Sequence, residues 1–329
     1  MAYFHIECIN ERKEAAEKAA TSRVFRPDVT QVKDSTMPFC SGDSMDLYIG
    51  ISYILNSWAP CAVVKLAAFL DPVTVSNADT TEFHNVTIHD ARKERIGSFH
   101  ETGFTLVELD AEPLTTDWRT SVMMDKNADI LKFHKLMEPH IKRLYPDTKR
   151  MKWTYNVVRG GEKFMDQPKA VAAPHLDYHQ NATARVLFHK EFPVLPGSEP
   201  ALLMGEEDDE HSKLGVMLGV WKPIHPAAVC DHPLAVMDSR TFSPEHQALN
   251  KLHLNFGFLT FHNLNGAIKY SPKQKWFYYP FQTTREVLIF HQYTKDRFFS
   301  NPHTSFLNMN CPEGSESRIS VEMRLALYF

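Results

Sequence analysis

Two short stretches of this chain carry residue types at spacings that suit a metal ion and an anion beside it. The first, APHLDYHQN, sets His175 and Asp177 two positions apart just beyond a proline. On an extended segment residues i and i+2 project to the same side, so an imidazole and a carboxylate can reach one ion. The second, RISVEMR, pairs Arg318 with Ser320 by the same period, and a guanidinium beside a hydroxyl makes a fork for a buried carboxylate. Neither spacing is specific alone, because His5-Ile-Glu7, His189-Lys-Glu191 and Arg119-Thr-Ser121 repeat the patterns elsewhere.

What distinguishes the first copies is the rest of the set. From Arg285 to Ser305 the chain reads as a strand, a loop and then His303, which can return a third ligand from another part of the fold. Two imidazoles and one carboxylate on one face of an octahedron leave the opposite positions open, the arrangement an oxygen-activating iron(II) centre requires. The keto and nearer carboxylate oxygens of 2-oxoglutarate would take two of those positions and O2 the third, with the far carboxylate held by Arg318 and Ser320. His175, Asp177 and His303 are the expected metal ligands on this reasoning.

The elements that must position these residues are mostly short strands. After residue 150 the runs MKWTYNVV, ATARVLFH, KLGVMLGVW, PLAVMD, WFYYPF, REVLIFHQY and RISVEMRLALYF are separated by Pro, Gly, Asn and Asp. That pattern predicts a mainly β protein with flanking helices around a double-stranded β-helix, a jelly-roll or cupin-like core. Before it, Glu11 to Arg26 reads as a charged helix, and VTIHDAR with FTLVEL as a strand pair. Ile130, Phe133, Leu136, Met137, Ile141 and Leu144 fall at helical spacing despite Pro139. We expect residues 1–84 to form a mixed α/β extension packed on a core of residues 85–329. The acidic run GEEDDEH reads as a solvated loop, with a lid over a pocket as its alternative.

Several other residues are candidates to touch substrate or cosubstrate. Arg324 shares the strand face of Arg318 and Ser320 if no bulge intervenes, and could bind a substrate carboxylate or form a structural ion pair. Trp221, Trp276 and Tyr278 could line a pocket, although aromatics at strand spacing more often form plain core. Tyr155 and Arg159 precede the His-x-Asp motif and could approach either cosubstrate.

The sequence also resembles a fungal and bacterial hydroxylase/desaturase family that includes gibberellin-desaturase-like, AsaB-like and CmcJ-like proteins, assigned as iron(II)- and 2-oxoglutarate-dependent oxygenases. The resemblance covers most of residues 85–329 and rests on VTIHDARKERIGSFHETGFTLV, APHLDY, LGVWKPI with PLAVMDSRTF, KQKWFYYPFQTTREVLIFHQY, NPHTSF and SRISVEMR. It implies Fe(II), 2-oxoglutarate and O2 as cofactor and cosubstrates, and the same ligand and anchor residues. It further implies a small specialised-metabolite substrate that is hydroxylated, desaturated or cyclised. The first 80 residues match the family poorly.

Composition bounds the alternatives. With 329 residues, 43% hydrophobic and 23% charged, the chain can bury one large core. A net charge of −4 without a basic run argues against nucleic-acid or anionic-membrane partners. The charged N-terminal stretch and the absence of a long apolar run predict a cytoplasmic protein. Five scattered cysteines with no Cys-x-x-Cys pair are expected to be reduced. Two rival readings use the same ligands: a cupin-like metal-binding protein without oxygenase activity, and a zinc hydrolase, in which Arg318 and Ser320 would have no role.

Overall fold

The computed structural model describes residues 31–40, 44–49, 81–110, 128–160, 170–192, 194, 199–205, 213–255, 260–295 and 300–329. The helix expected over residues 11–26, residues 206–211 of the acidic run and the Arg119-Thr-Ser121 motif lie outside them.

Two sheets face each other in the manner of a jelly roll. The larger one contains, in spatial order, β1 (Gln31–Cys40), β3 (Thr81–Asp90), β11 (Trp276–Tyr278), β8 (Leu234–Met237), β13 (His303–Ser305), β6 (His175–Leu176), β10 (Thr260–Ile268), β9 (Gln247–Asn255) and β2 (Ser44–Ile49). The smaller runs β4 (Phe104–Glu108), β12 (Glu286–Thr294), β7 (Leu214–Pro223), β14 (Ile319–Tyr328) and β5 (Arg150–Gly160). Thus residues 31–49, placed by sequence in the N-terminal extension, lend β1 and β2 to opposite edges of the larger sheet.

The strand period decides which side chains fill which layer. Phe277, Val236 and Leu234 of the larger sheet meet Trp221, Leu288, Phe290 and Phe104 of the smaller one between the sheets. The alternate positions of the smaller sheet, among them Val220, Ile289, Val321, Met323 and Leu325, turn outward against Phe133, Met137 and Ile141. Those three residues belong to the helix Ala128–Leu144, which runs through Pro139 and leaves Leu136 largely outside the core. On the back of the larger sheet, Leu176, Met237, Trp276, Tyr278 and Phe306 form a separate cluster.

The sequence expectations need three corrections. VTIHDAR and FTLVEL do not pair: β3 lies in the larger sheet and β4 in the smaller, because a short helix (Phe99–Thr102) ending at left-handed Gly103 (φ 86°) carries the chain across. ATARVLFH is a helix, Ala182–Glu191, not a strand; Asn181 caps it by accepting a hydrogen bond from the Ala184 N–H at 3.0 Å. The β9–β10 hairpin, not anticipated, supplies the neighbour of β6.

Candidate metal centre and anion anchor

β6 is two residues long, and its position is set by its neighbours. His175 and Leu176 pair with Ala267 and Gly266 of β10, and the Ile268 N–H donates to Pro174 O at 3.2 Å. On its other side β6 meets β13, where His303 stands directly opposite His175. Antiparallel register therefore puts both imidazoles on one face, with ring centroids 4.4 Å apart. Leu176 turns to the opposite face and enters the cluster behind the sheet, so Asp177 returns to the side of His175.

Ligand atoms of His175, Asp177 and His303 all lie within 4.8 Å of one another, a spacing that can hold one metal ion. His175 Nε2 is 3.7 Å from Asp177 Oδ1, and His303 Nε2 is 3.6 Å from Asp177 Oδ2. The opposite ring nitrogens face backbone carbonyls: Nδ1 of His175 meets Ala173 O at 2.8 Å, and Nδ1 of His303 meets Asn301 O at 3.2 Å. A proton on each Nδ1 satisfies those carbonyls and leaves both Nε2 lone pairs directed at the ion's position. Burial, followed by the nearby His303, lowers the His175 pKa to about 4, and burial likewise lowers that of His303. Burial would raise the Asp177 pKa, but Arg324, then His303 and His175, hold its carboxyl well below the usual range. Two neutral imidazoles and an ionised carboxylate are the protonation states a divalent cation needs.

The loop that delivers His303 is clamped by Asn301. Its buried Nδ2 donates to Thr102 O and Met237 O, each at 2.8 Å, and its Oδ1 accepts from the His291 N–H at 3.1 Å. The Phe290 ring packs against His303 at 4.8 Å.

Ser320, Glu322 and Arg324 share the inner face of β14, Arg318 stands one residue before the strand, and all four are buried. The register shift between β14 and β5 falls after Arg324, so the period of two holds through it. Arg318 donates from Nη1 to His232 O, its guanidinium lies 5.4 Å from the centre of the Trp221 ring, and its N–H donates to Asp231 Oδ1 at 3.0 Å. Burial, then the charge of Arg159, lowers the Arg318 pKa to about 10, leaving it a cation at neutral pH. Arg318 Nε, Ser320 Oγ and Asp177 Oδ2 are buried polar atoms without a hydrogen-bond partner among the described residues. Two donors left this way two residues apart fit a carboxylate, and the unsatisfied aspartate oxygen fits a cation.

The remaining candidates divide. Trp221 lies beside the Arg318 guanidinium, and Arg159 stands in register with Ser320, its charge acting on Asp177, His303 and Arg318. Tyr155 pairs with Arg324 across β5 and β14, and its side chain is outside the described residues. Trp276 and Tyr278 are buried behind the larger sheet with Leu176, on the face away from His175, because β11 turns only Phe277 inward. Arg324 is engaged within the protein: its Nη2 lies 3.0 Å from Asp177 Oδ1 and its Nη1 donates to Tyr178 Oη at 3.1 Å. His189 and Glu191 belong to a helix, where residues two apart face nearly opposite ways, so they do not form a second chelate. The sequence reading missed Glu322, Gln292 and Tyr178. Glu322 was accessible through the same period of two that picked out Ser320; Gln292, on β12, had no local signal.

Comparison with known proteins gives the family and the fold. The model of a family described as the oxidoreductase/YMDC permease-like domain matches residues 59–329. No helix among the described residues is long and apolar enough to cross a membrane. The Fe(II)/2-oxoglutarate-dependent dioxygenase nvfI of Aspergillus novofumigatus is 27% identical over 259 residues, which cover 74% of this chain and 83% of that protein. Aspirochlorine biosynthesis protein N of Aspergillus oryzae is 29% identical over 116 residues, 34% of this chain and 48% of that protein. The solved structure of the iron and alpha-ketoglutarate-dependent endoperoxidase NvfI superposes with a TM-score of 0.63 at 21% identity, covering 91% of this chain and 98% of that one, and so shares the fold.

Proposed function

Because the chain belongs to the family described as the oxidoreductase/YMDC permease-like domain, and to the fungal iron(II)- and 2-oxoglutarate-dependent oxygenases by its relatives, we propose that it oxidises an unactivated C–H bond of a small specialised-metabolite intermediate. The enzyme is a non-haem iron dioxygenase whose cofactors are Fe(II), 2-oxoglutarate and O2. Hydroxylation, desaturation or oxidative ring closure are the outcomes we assign to it. The observation that carries this reading is the triad His175, Asp177 and His303 together with the buried, unsatisfied donors of Arg318 and Ser320.

In this reading the two Nε2 atoms and Asp177 hold the iron, and the fork of Arg318 and Ser320 holds the distal carboxylate of 2-oxoglutarate. When bound, the iron and its cosubstrates supply the oxidising power for hydrogen abstraction, coupled to decarboxylation of 2-oxoglutarate to succinate. The protein's contribution is orientation and dryness. Trp221, Leu288 and Phe290, buried between the sheets, keep water from that region, and Ala173 O and Asn301 O fix the two imidazole rings.

The test is anaerobic addition of 2-oxoglutarate to iron(II)-loaded protein, followed by oxygen uptake with a panel of candidate metabolites. A visible charge-transfer band is expected for wild type and for His189→Ala, and no band for His175→Ala or His303→Ala. Absence of the band in folded, metal-loaded wild type would overturn the reading.

A further inference from the structure

We infer that Arg324 is a positioning residue that reserves one oxygen of Asp177 and thereby holds this carboxylate to a single-oxygen contact with the metal. The inference rests on the metal-centre reading above. Its basis is a chain of contacts on the floor of the site. Arg324 Nη2 sits 3.0 Å from Asp177 Oδ1, whereas Oδ2, which faces His303 at 3.6 Å, has no hydrogen-bond partner among the described residues. Each oxygen faces one imidazole, Oδ1 lying 3.7 Å from His175 Nε2, but only Oδ1 also carries the guanidinium.

The guanidinium is itself held at both terminal nitrogens, with the Glu322 carboxylate as a charge neighbour at Nε. Nη1 donates to Tyr178 Oη at 3.1 Å, Nε lies 3.5 Å from Glu322 Oε1, and Nη2 meets Asp177. Glu322 is steadied in turn by buried Gln292, whose Nε2 donates to Oε1 at 3.4 Å. A planar cation tied at both terminal nitrogens cannot swing away from Oδ1 without stranding the buried carboxylate of Asp177. Of the two roles the sequence left open for Arg324, a substrate carboxylate or a structural ion pair, its contact with Asp177 is the second.

The consequence lies in the open coordination positions. A single Asp177 oxygen leaves room for bidentate 2-oxoglutarate and for O2, whereas a chelating Asp177 takes one of those positions. Arg324 therefore protects the site's capacity for its cosubstrate, not its affinity for the metal.

The experiment uses Mn(II) as the probe metal, counting exchangeable bound waters by water-proton relaxation and titrating 2-oxoglutarate into the same samples. In Arg324→Met the released Oδ1 is expected to chelate, so bound waters fall from about three to about two, Mn(II) affinity is unchanged or tighter, and 2-oxoglutarate binds at least tenfold more weakly. Arg324→Lys keeps a cation but cannot span both terminal contacts, and its values are expected between those of wild type and Arg324→Met. Wild-type water number and 2-oxoglutarate affinity in Arg324→Met would overturn the inference. So would a loss of Mn(II) as complete as that in His175→Ala, which would make Arg324 a support for the whole site. If His175→Ala itself keeps wild-type Mn(II) affinity, the metal-centre reading fails first and this inference with it. Should Arg324→Met not fold, Glu322→Gln, which removes the charge beside Nε, is expected to move the water number and 2-oxoglutarate affinity in the same direction by less; no movement would overturn the inference.

Discussion

Arg318 is a buried cation whose Nε lacks a hydrogen-bond partner among the described residues, while Nη1 is tied to His232 O. Such a group is matched when an anion arrives, and removing it strands that anion in a dry site. The expected cost of Arg318→Ala for 2-oxoglutarate binding is about 3 to 5 kcal/mol, roughly a hundredfold to a few thousandfold at about 1.4 kcal/mol per decade. Arg318→Lys recovers part of this, since an ammonium lacks the planar fork. Ser320→Ala costs about 1 to 3 kcal/mol, the range for a lost hydrogen bond to a charged group. Titration of 2-oxoglutarate followed by the charge-transfer band measures all three, with Arg119→Ala, from the other Arg-x-Ser copy, expected to match wild type. A larger loss in Arg119→Ala than in Arg318→Ala would remove the anchor assignment.

At the scale of elements, the site depends on how closely β7 and β12 approach. Gly219 of β7 pairs with Phe290 of β12, and a Cβ at 219 would stand 2.5 Å from Phe290 Cζ. Phe290 cannot yield freely, because the His303 ring lies against it at 4.8 Å. Gly219→Ala is therefore expected to destabilise the fold by about 1 to 3 kcal/mol through overpacking and to weaken metal binding by displacing His303. Phe290→Leu in the same chain should restore part of both, a coupling that a double-mutant cycle measures by thermal melts and metal titration. Additive effects would show that the two positions do not press on each other.

The molecule as a whole covers histidines that are not metal-ligand candidates, His134 in part and His291 fully. His134 stacks on Trp153 at 4.1 Å, and burial lowers its pKa to about 4; burial lowers that of His291, which is hydrogen-bonded to Tyr145, to about 3. Both values lie below the 6.5 of an exposed histidine, so below that pH the unfolded chain binds more protons than the folded one. Stability is then full above about pH 6.5 and declines as the pH falls toward about 4 and 3. Urea unfolding at pH 7.5 and pH 5 should show the loss, and His134→Gln, which cannot titrate, should reduce its dependence on pH. An unchanged slope would assign the acid sensitivity to other groups.

The sequence by itself determined what depends on neighbours along the chain. The period of two placed Ser320 and Arg324 on one face of β14 with Arg318 just before it, and His175 of β6 on one side with Asp177 just after it, because extended backbone alternates side chains whatever it packs against. The 3.6-residue period marked Phe133, Met137 and Ile141 as the buried stripe of their helix for the same reason. Tertiary structure decided everything that depends on which strands meet. It set His303 opposite His175 and sent Trp276 and Tyr278 behind the sheet. It also turned Arg324 from a free guanidinium into the partner of Asp177, a contact between residues 147 positions apart. No local pattern encodes that contact, since it exists only when the two sheets close on one another.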